Sequence, residues 1–197
     1  MELDGNNIDA HFALIDFYMI APGFMGGSES KALAQAAEIK KRDSLAGHRA
    51  LARIYLRKQR TEPARNEMLA AVREQPASAK ANYHYALFLL GEKNYKGAAE
   101  ELDNAIKLDA AYMPSYFRVG QTAVFAENNY TRGEEALKKY LTHTLGEDEP
   151  PLARAWFWLG RIYDAQGKKA EAKQSYSTSL KLTPGAKEVV EALKRVS

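Results

Sequence analysis

Cysteine is absent from this 197-residue sequence, which excludes disulfides, a cysteine nucleophile and every thiolate metal site. The absence leaves the compartment open, because secreted proteins need not contain cysteine. A long apolar run is absent too. The most apolar stretch, Phe12 to Met25, is broken by Asp16 and Pro22 and is shorter than the roughly 20 residues a membrane-spanning helix requires. No basic segment followed by an apolar one opens the sequence, so no signal peptide is visible. Charge of one sign is scarce: 28 Lys and Arg stand against 25 Asp and Glu, a net charge of +3. That is too mild over the whole chain to imply a nucleic-acid partner. With 46% hydrophobic residues the chain is no disordered polymer, and it reads as soluble and globular.

Signatures of catalysis are also missing. There is no Gly-x-Ser-x-Gly, no His-Glu-x-x-His and no Gly-Lys-Ser/Thr at phosphate-loop spacing. His11 and His48 sit at a packing position, His84 has no partner at nucleophile or metal spacing, and His143 falls late in a helix near a long loop. The paired acids Glu100-Glu101 and Glu134-Glu135 and the run Glu147-Asp148-Glu149 are adjacent in sequence and read as solvated faces. A protein without catalysis, metal or cofactor is expected.

What is present is a repeat. The segments 10–18 and 47–55 share His11/His48, Ala13/Ala50, Leu14/Leu51 and Tyr18/Tyr55 at the same offsets, and Trp156, Leu159, Gly160 and Tyr163 repeat the skeleton. A second amphipathic helix follows, with Ala64, Met68 and Ala71 before Pro76, and Ala172, Tyr176 and Ser179 before Pro184. The result is a 34-residue period of two helices and a terminating proline. Small residues at Ala52, Ala86, Gly120 and Gly160 are expected to admit the partner helix closely, answered by Ala64, Ala98, Gly133 and Ala172. Large ones such as Leu51, Tyr55, Trp156, Leu159, Tyr163 and Tyr176 fill the space between hairpins. Gly91, Gly146 and Gly167 fall near helix ends, where positive φ is often required.

The pattern resembles the tetratricopeptide repeat family. In the unit 153–186, Trp156, Leu159, Gly160, Tyr163, Ala172, Tyr176 and Pro184 stand where the family places its aromatic, Leu, small, Tyr, Ala, aromatic and Pro residues, with Ser179 for a usual Ala. The unit 45–78 carries His48, Leu51, Ala52, Tyr55, Ala64, Met68, Ala71 and Pro76. Unit 79–112 is looser, with Ala110 in the place of the proline, and unit 113–152 shifts its second helix (Gly133, Leu137, Tyr140) by one residue. The resemblance implies an all-α fold, a right-handed α-solenoid of helix-turn-helix repeats, as a single array over 1–197.

A first unit at about 8–44 keeps His11, Leu14 and Tyr18, and 187–197 reads as a capping helix, apolar inward and charged outward. Residues 1–7 look like the tail of a preceding repeat, so the chain is expected to begin inside a longer array, with any secretion signal upstream. Between the helices of the first unit lies an insertion, residues 21–30, rich in glycine. Pro22 ends the first helix, and Ser28 or Ser30 is placed to cap the second. Phe24 and Met25 are expected to fold back onto the first hairpin, with an anion site at the glycines as the lesser reading. Its Pro-Gly-Phe-x-Gly-Gly passage is similar to one in bacterial helical-repeat proteins, including periplasmic ones associated with TRAP transporters.

In the family, first helices line a concave surface where peptides dock. The positions opposite the packing stripe are Arg49, Arg53 and Arg57, then Lys80, Tyr83, His84 and Leu87, then Phe117, Arg118 and Gln121, then Arg154, Phe157, Trp158 and Arg161. From Leu45 to Arg60 the helix holds Arg49, Arg53, Arg57, Lys58 and Arg60 and no acid. These residues are the candidate site: a basic, aromatic-lined groove for a protein or peptide that is acidic or carries a carboxylate. The competing reading pairs the arginines with acids on second helices (Glu62, Glu67, Glu100, Glu101) and gives the rings to packing. The family's chaperone-tail clamp is not expected, because Arg49, Arg53, His84, Pro114 and Arg118 stand where it needs asparagines and a further base. The function expected is a non-enzymatic interaction scaffold, with self-association through the uncapped first hairpin as a further outcome. The alternative is a periplasmic small-ligand-binding accessory of a bacterial transport system, so the compartment, cytoplasmic or periplasmic, stays open.

Overall fold

The computed structural model describes residues 7–146 and 149–196. Residues 1–6, read from sequence as the end of an earlier repeat, and Glu147 and Asp148 of the acidic run lie outside the described residues. Among those described there are eleven α-helices, one 3-10 turn and no strand. They group into two compact units, 1–88 and 89–197, and the chain passes from one to the other within a helix.

The first unit contains α1 (Ile8–Ile20), α2 (Glu29–Arg42), α3 (Ser44–Arg57), α4 (Thr61–Glu74) and most of α5 (Ala79–Gly91). The starts of four of its helices are fixed by side-chain caps: Asn7 accepts from the Ala10 amide, Ser28 from Lys31, Asp43 from Ala46 and Ser78 from Ala81. Ile15, Ala36, Ile39, Ala50 and Ile54 form its main core, into which Phe12, Tyr18 and Leu51 pack. A smaller cluster joins Leu45, Ala71 and Ala81.

The second unit contains α6 (Tyr95–Leu108), α7 (Met113–Phe125), α8 (Tyr130–Leu141), α9 (Leu152–Ala165), α10 (Lys169–Leu182) and α11 (Lys187–Val196). Successive helices pack on one another, α7 also meets α9, and α11 lies on α10 and α9. Leu102, Leu137, Tyr140, Leu159, Ile162 and Tyr176 are buried almost completely. The small-residue reading is visible as contact. A Cβ at Gly120 would overlap the Leu137 side chain, and one at Gly160 would stand 2.5 Å from the Tyr176 ring.

Four hairpins share one closing motif. Gln59, Lys93, Glu127 and Gly167 each adopt positive φ and donate to the carbonyl three residues back. The next amide bonds five back: Arg60 to Tyr55, Asn94 to Leu89, Asn128 to Ala123 and Lys168 to Tyr163. In α7–α8 an extra left-handed residue, Asn129, follows the motif (φ 51°), which accounts for the one-residue shift read in the sequence. Gly91 and Gly146, expected at positive φ, are not there; in the turn after Gly91 it is Lys93 that holds the left-handed position.

The first hairpin is built differently. After Pro22 a 3-10 turn (Gly23–Met25) leads through Gly26 at φ 96° into α2. The expectation that Phe24 and Met25 fold back is overturned: they are 90% and 60% exposed. The loop is closed by its own backbone, Gly27 bonding to the Pro22 carbonyl and Ser28 to that of Tyr18. Gly27 is pressed against the Ala21 carbonyl, which leaves no space beneath for a side chain.

Candidate interaction surface

The polar face of α3 is set by its apolar one. Ala46, Ala50 and Ile54 turn into the core, which directs Arg49, Arg53 and Arg57, spaced at four residues, to the other side. With His84, Leu87 and Phe88 of α5 they line an open cleft of about 580 Å³ in the first unit. Leu56 and Met68 contribute to its apolar wall. Lys80 is exposed on the same helix as His84.

Two of the three arginines are held by an acid of a first helix. Arg53 donates to Oδ2 of Asp16 at 2.6 Å and Arg57 to Oδ1 at 2.9 Å, so one carboxylate on α1 bridges both. Arg49 lies over the Phe12 ring, 6.0 Å from its centroid. Of the second-helix acids, Glu62 pairs with Arg65 and Glu67 with the buried His48. Arg60 does find a second-helix acid, Glu29 of α2, which also attracts Lys58.

His84 is the cleft's unusual group. Burial, then the positive charges of Arg49 and Lys80, push its pKa down to about 3. It is therefore neutral at physiological pH, and its Nε2 has no hydrogen-bond partner among the described residues. The neighbouring Tyr83 is 7% exposed and meets His84 edge-on. Tyr83 is thus a packing residue rather than a cleft wall.

In the second unit the candidate rings are also interior. Phe117 and Phe157 are 3% exposed and Trp158 is 5%. Phe117 packs on Tyr140, while Phe157 lies against Trp158 and Tyr176. These positions carry packing, which withdraws the aromatic lining read from sequence. Cations cover the rings: Arg118 sits over Phe117, Arg161 over Phe157, and Arg154 over Phe157 and Trp158. Arg118 also donates to Gln121 at 2.6 Å, and Arg154 pairs with Glu188 of α11.

His11 bonds Gln35, and His143, two residues beyond α8 rather than inside it, bonds Glu149 at 2.8 Å. No group of three or more metal-ligating side chains gathers among the described residues. The glycine loop's amides at Met25, Gly26, Gly27 and Ser28 all bond within the loop or to α1, so it offers an anion none of these four. No described helix is long and apolar enough to cross a membrane.

Asp16 is the residue the sequence reading passed over. It aligns with Arg53 when His11 is placed on His48 and Tyr18 on Tyr55, and this shared register was the available signal.

Two family models, both described as tetratricopeptide repeat, match residues 49–113 and 153–186. No curated protein matches. Among solved structures, yeast Tom70 is similar over 98% of this chain and 40% of its own, with 17% identity and a TM-score of 0.76. MamA of Desulfovibrio magneticus RS-1, from residue 41 to its end, aligns over 78% of this chain and 84% of its own, with 18% identity and a TM-score of 0.67. YrrB, described as a TPR protein with an unusual peptide-binding site, aligns over 97% and 94%, with 15% identity and a TM-score of 0.66. At these identities the likeness is one of fold.

Proposed function

Because the chain belongs to the tetratricopeptide repeat family, we propose that it is a non-enzymatic interaction scaffold whose α3–α5 cleft receives an acidic, carboxylate-bearing segment of a partner protein. The observation that carries this reading is the cleft's charge beside its apolar wall. Three arginines face it, Asp16 bridges two of them, and His84 is neutral. A ligand placing a carboxylate on the arginines and an aliphatic or aromatic side chain against Leu56, Leu87 and Phe88 satisfies both halves. YrrB, a TPR protein with an unusual peptide-binding site, lends the reading support from the same fold. We propose Arg118, Gln121, Arg154 and Arg161 as polar partner contacts of the second unit taken by itself, its rings being left to packing.

The test is the affinity of a short fluorescent peptide of alternating glutamate and leucine, with its glutamine counterpart as control. Binding should prefer the glutamate peptide and weaken as salt rises from about 50 to 500 mM, since exposed pairs are screened. Arg49→Glu/Arg53→Glu should reduce affinity at least tenfold. Equal binding of both peptides at all salt concentrations would reject the charge argument.

A further inference from the structure

We propose that Asp16 is a built-in occupant of the arginine cleft, its carboxylate sitting where a ligand's carboxylate binds, so that docking exchanges one carboxylate for another. The proposal rests on the acidic-peptide reading and adds a regulatory layer to it. Asp16 uses both oxygens, one on Arg53 and one on Arg57, so its carboxylate already spans the two guanidinium groups that an incoming carboxylate would meet. The side chains of Arg53, Arg57 and Asp16 remain 44%, 36% and 30% exposed, so the pair is open to solvent and to exchange. An ion pair at such exposure is weak. Its rupture is therefore a modest barrier to a ligand that brings its own carboxylate and an apolar anchor.

The exchange sets a requirement on the ligand. A lone carboxylate only replaces what Asp16 already provides. A segment with a neighbouring apolar side chain gains from the wall of Leu56 and Leu87. The cleft thus selects against isolated surface acids, which abound on other proteins, and in favour of paired features. Asp16 also ties α1 to α3, so docking should loosen that strut.

Asp16→Asn keeps the shape of the side chain and removes its charge. If Asp16 occupies the site, the variant should bind the glutamate–leucine peptide about two- to tenfold more tightly than the wild type, the range expected for releasing two exposed ion pairs. Tighter binding by the variant, or binding by the variant alone, supports the proposal. Arginine-dependent binding by the wild type with equal or weaker binding by Asp16→Asn overturns it while leaving the cleft assignment standing. Binding by neither protein overturns both. A measurement on the wild type guards against a variant that fails to fold. Saturating peptide should move the Asp16 side-chain carboxyl 13C resonance toward that of a free carboxylate, and an unmoved resonance in a peptide-saturated sample would overturn the exchange.

Discussion

At neutral pH His84 stands uncharged near Arg49 and Lys80, and the cost of that arrangement appears in acid. Its pKa is about 3 in the fold, against 6.5 for an ordinary histidine. Below 6.5 the unfolded chain binds a proton that the folded chain refuses, so stability falls as pH drops from 6.5 toward 3. A fully buried group would give about 1.4 kcal/mol per pH unit, and about half of that is expected for a ring keeping some solvent contact. His84→Gln should flatten the denaturation midpoint between pH 6.5 and 5; a slope unchanged from the wild type would show that His84 is not the group responsible.

Glu74 acts in a different window. Hydrogen bonds from Ser44 and then His48 hold its carboxyl down at about 2, against 4.5 for an ordinary glutamate. Its contribution is present above 4.5 and is lost as pH falls through 2. Ser44→Ala removes the larger of these causes, so the variant should lose less stability than the wild type between pH 4.5 and 2. Parallel acid-denaturation curves for the two proteins would contradict this assignment.

At the scale of the element, the hairpin turn shows what could and could not be read in advance. The period, the helix pairs and the small residues at Gly120 and Gly160 were legible because packing demands a residue type at a fixed spacing, and a substitution there would collide with Leu137 or Tyr176. The left-handed turn was legible only at Gly167. At Gln59, Lys93 and Glu127 the same conformation is imposed by the two hydrogen bonds of the motif on residues that do not favour it. Asp16 was hidden for a related reason, since a charged residue on an outward face declares no partner until its neighbouring helix is placed. The aromatic candidates misled because a helix of this kind buries more than one stripe, so a ring opposite the first packing face still meets a neighbour.

Two predictions follow from the imposed turns and the tight approaches. Lys93→Gly and Glu127→Gly should each raise stability by about 0.5–1 kcal/mol, because glycine tolerates positive φ and both turns are exposed. Gly160→Ala should lower it by about 1–3 kcal/mol through overpacking against Tyr176. Denaturant midpoints decide both. A Gly160→Ala protein as stable as the wild type would mean that α9 and α10 separate freely.

At the scale of the whole molecule, repeat proteins distribute stability over neighbouring interfaces, so an end element counts for what it covers. α11 buries Val189, Ala192 and Val196 against α9 and α10 and turns Lys187, Glu191, Lys194 and Arg195 outward. Burial of those three side chains contributes roughly 3–4 kcal/mol on the scale of apolar area. For a chain of this size that corresponds to a fall of about 5–15 °C in melting temperature when residues 187–197 are removed. Loss of the helix also uncovers the apolar surface of α10 beneath it, and a repeat protein without its cap tends to associate. The shortened chain should therefore melt earlier and show concentration-dependent light scattering that Val189→Asp, which places a charge at the same interface, reproduces in the full chain. If the shortened chain melts with the wild type and stays monomeric, α11 is an appendage, and the stability of the second unit resides in α6 to α10 alone.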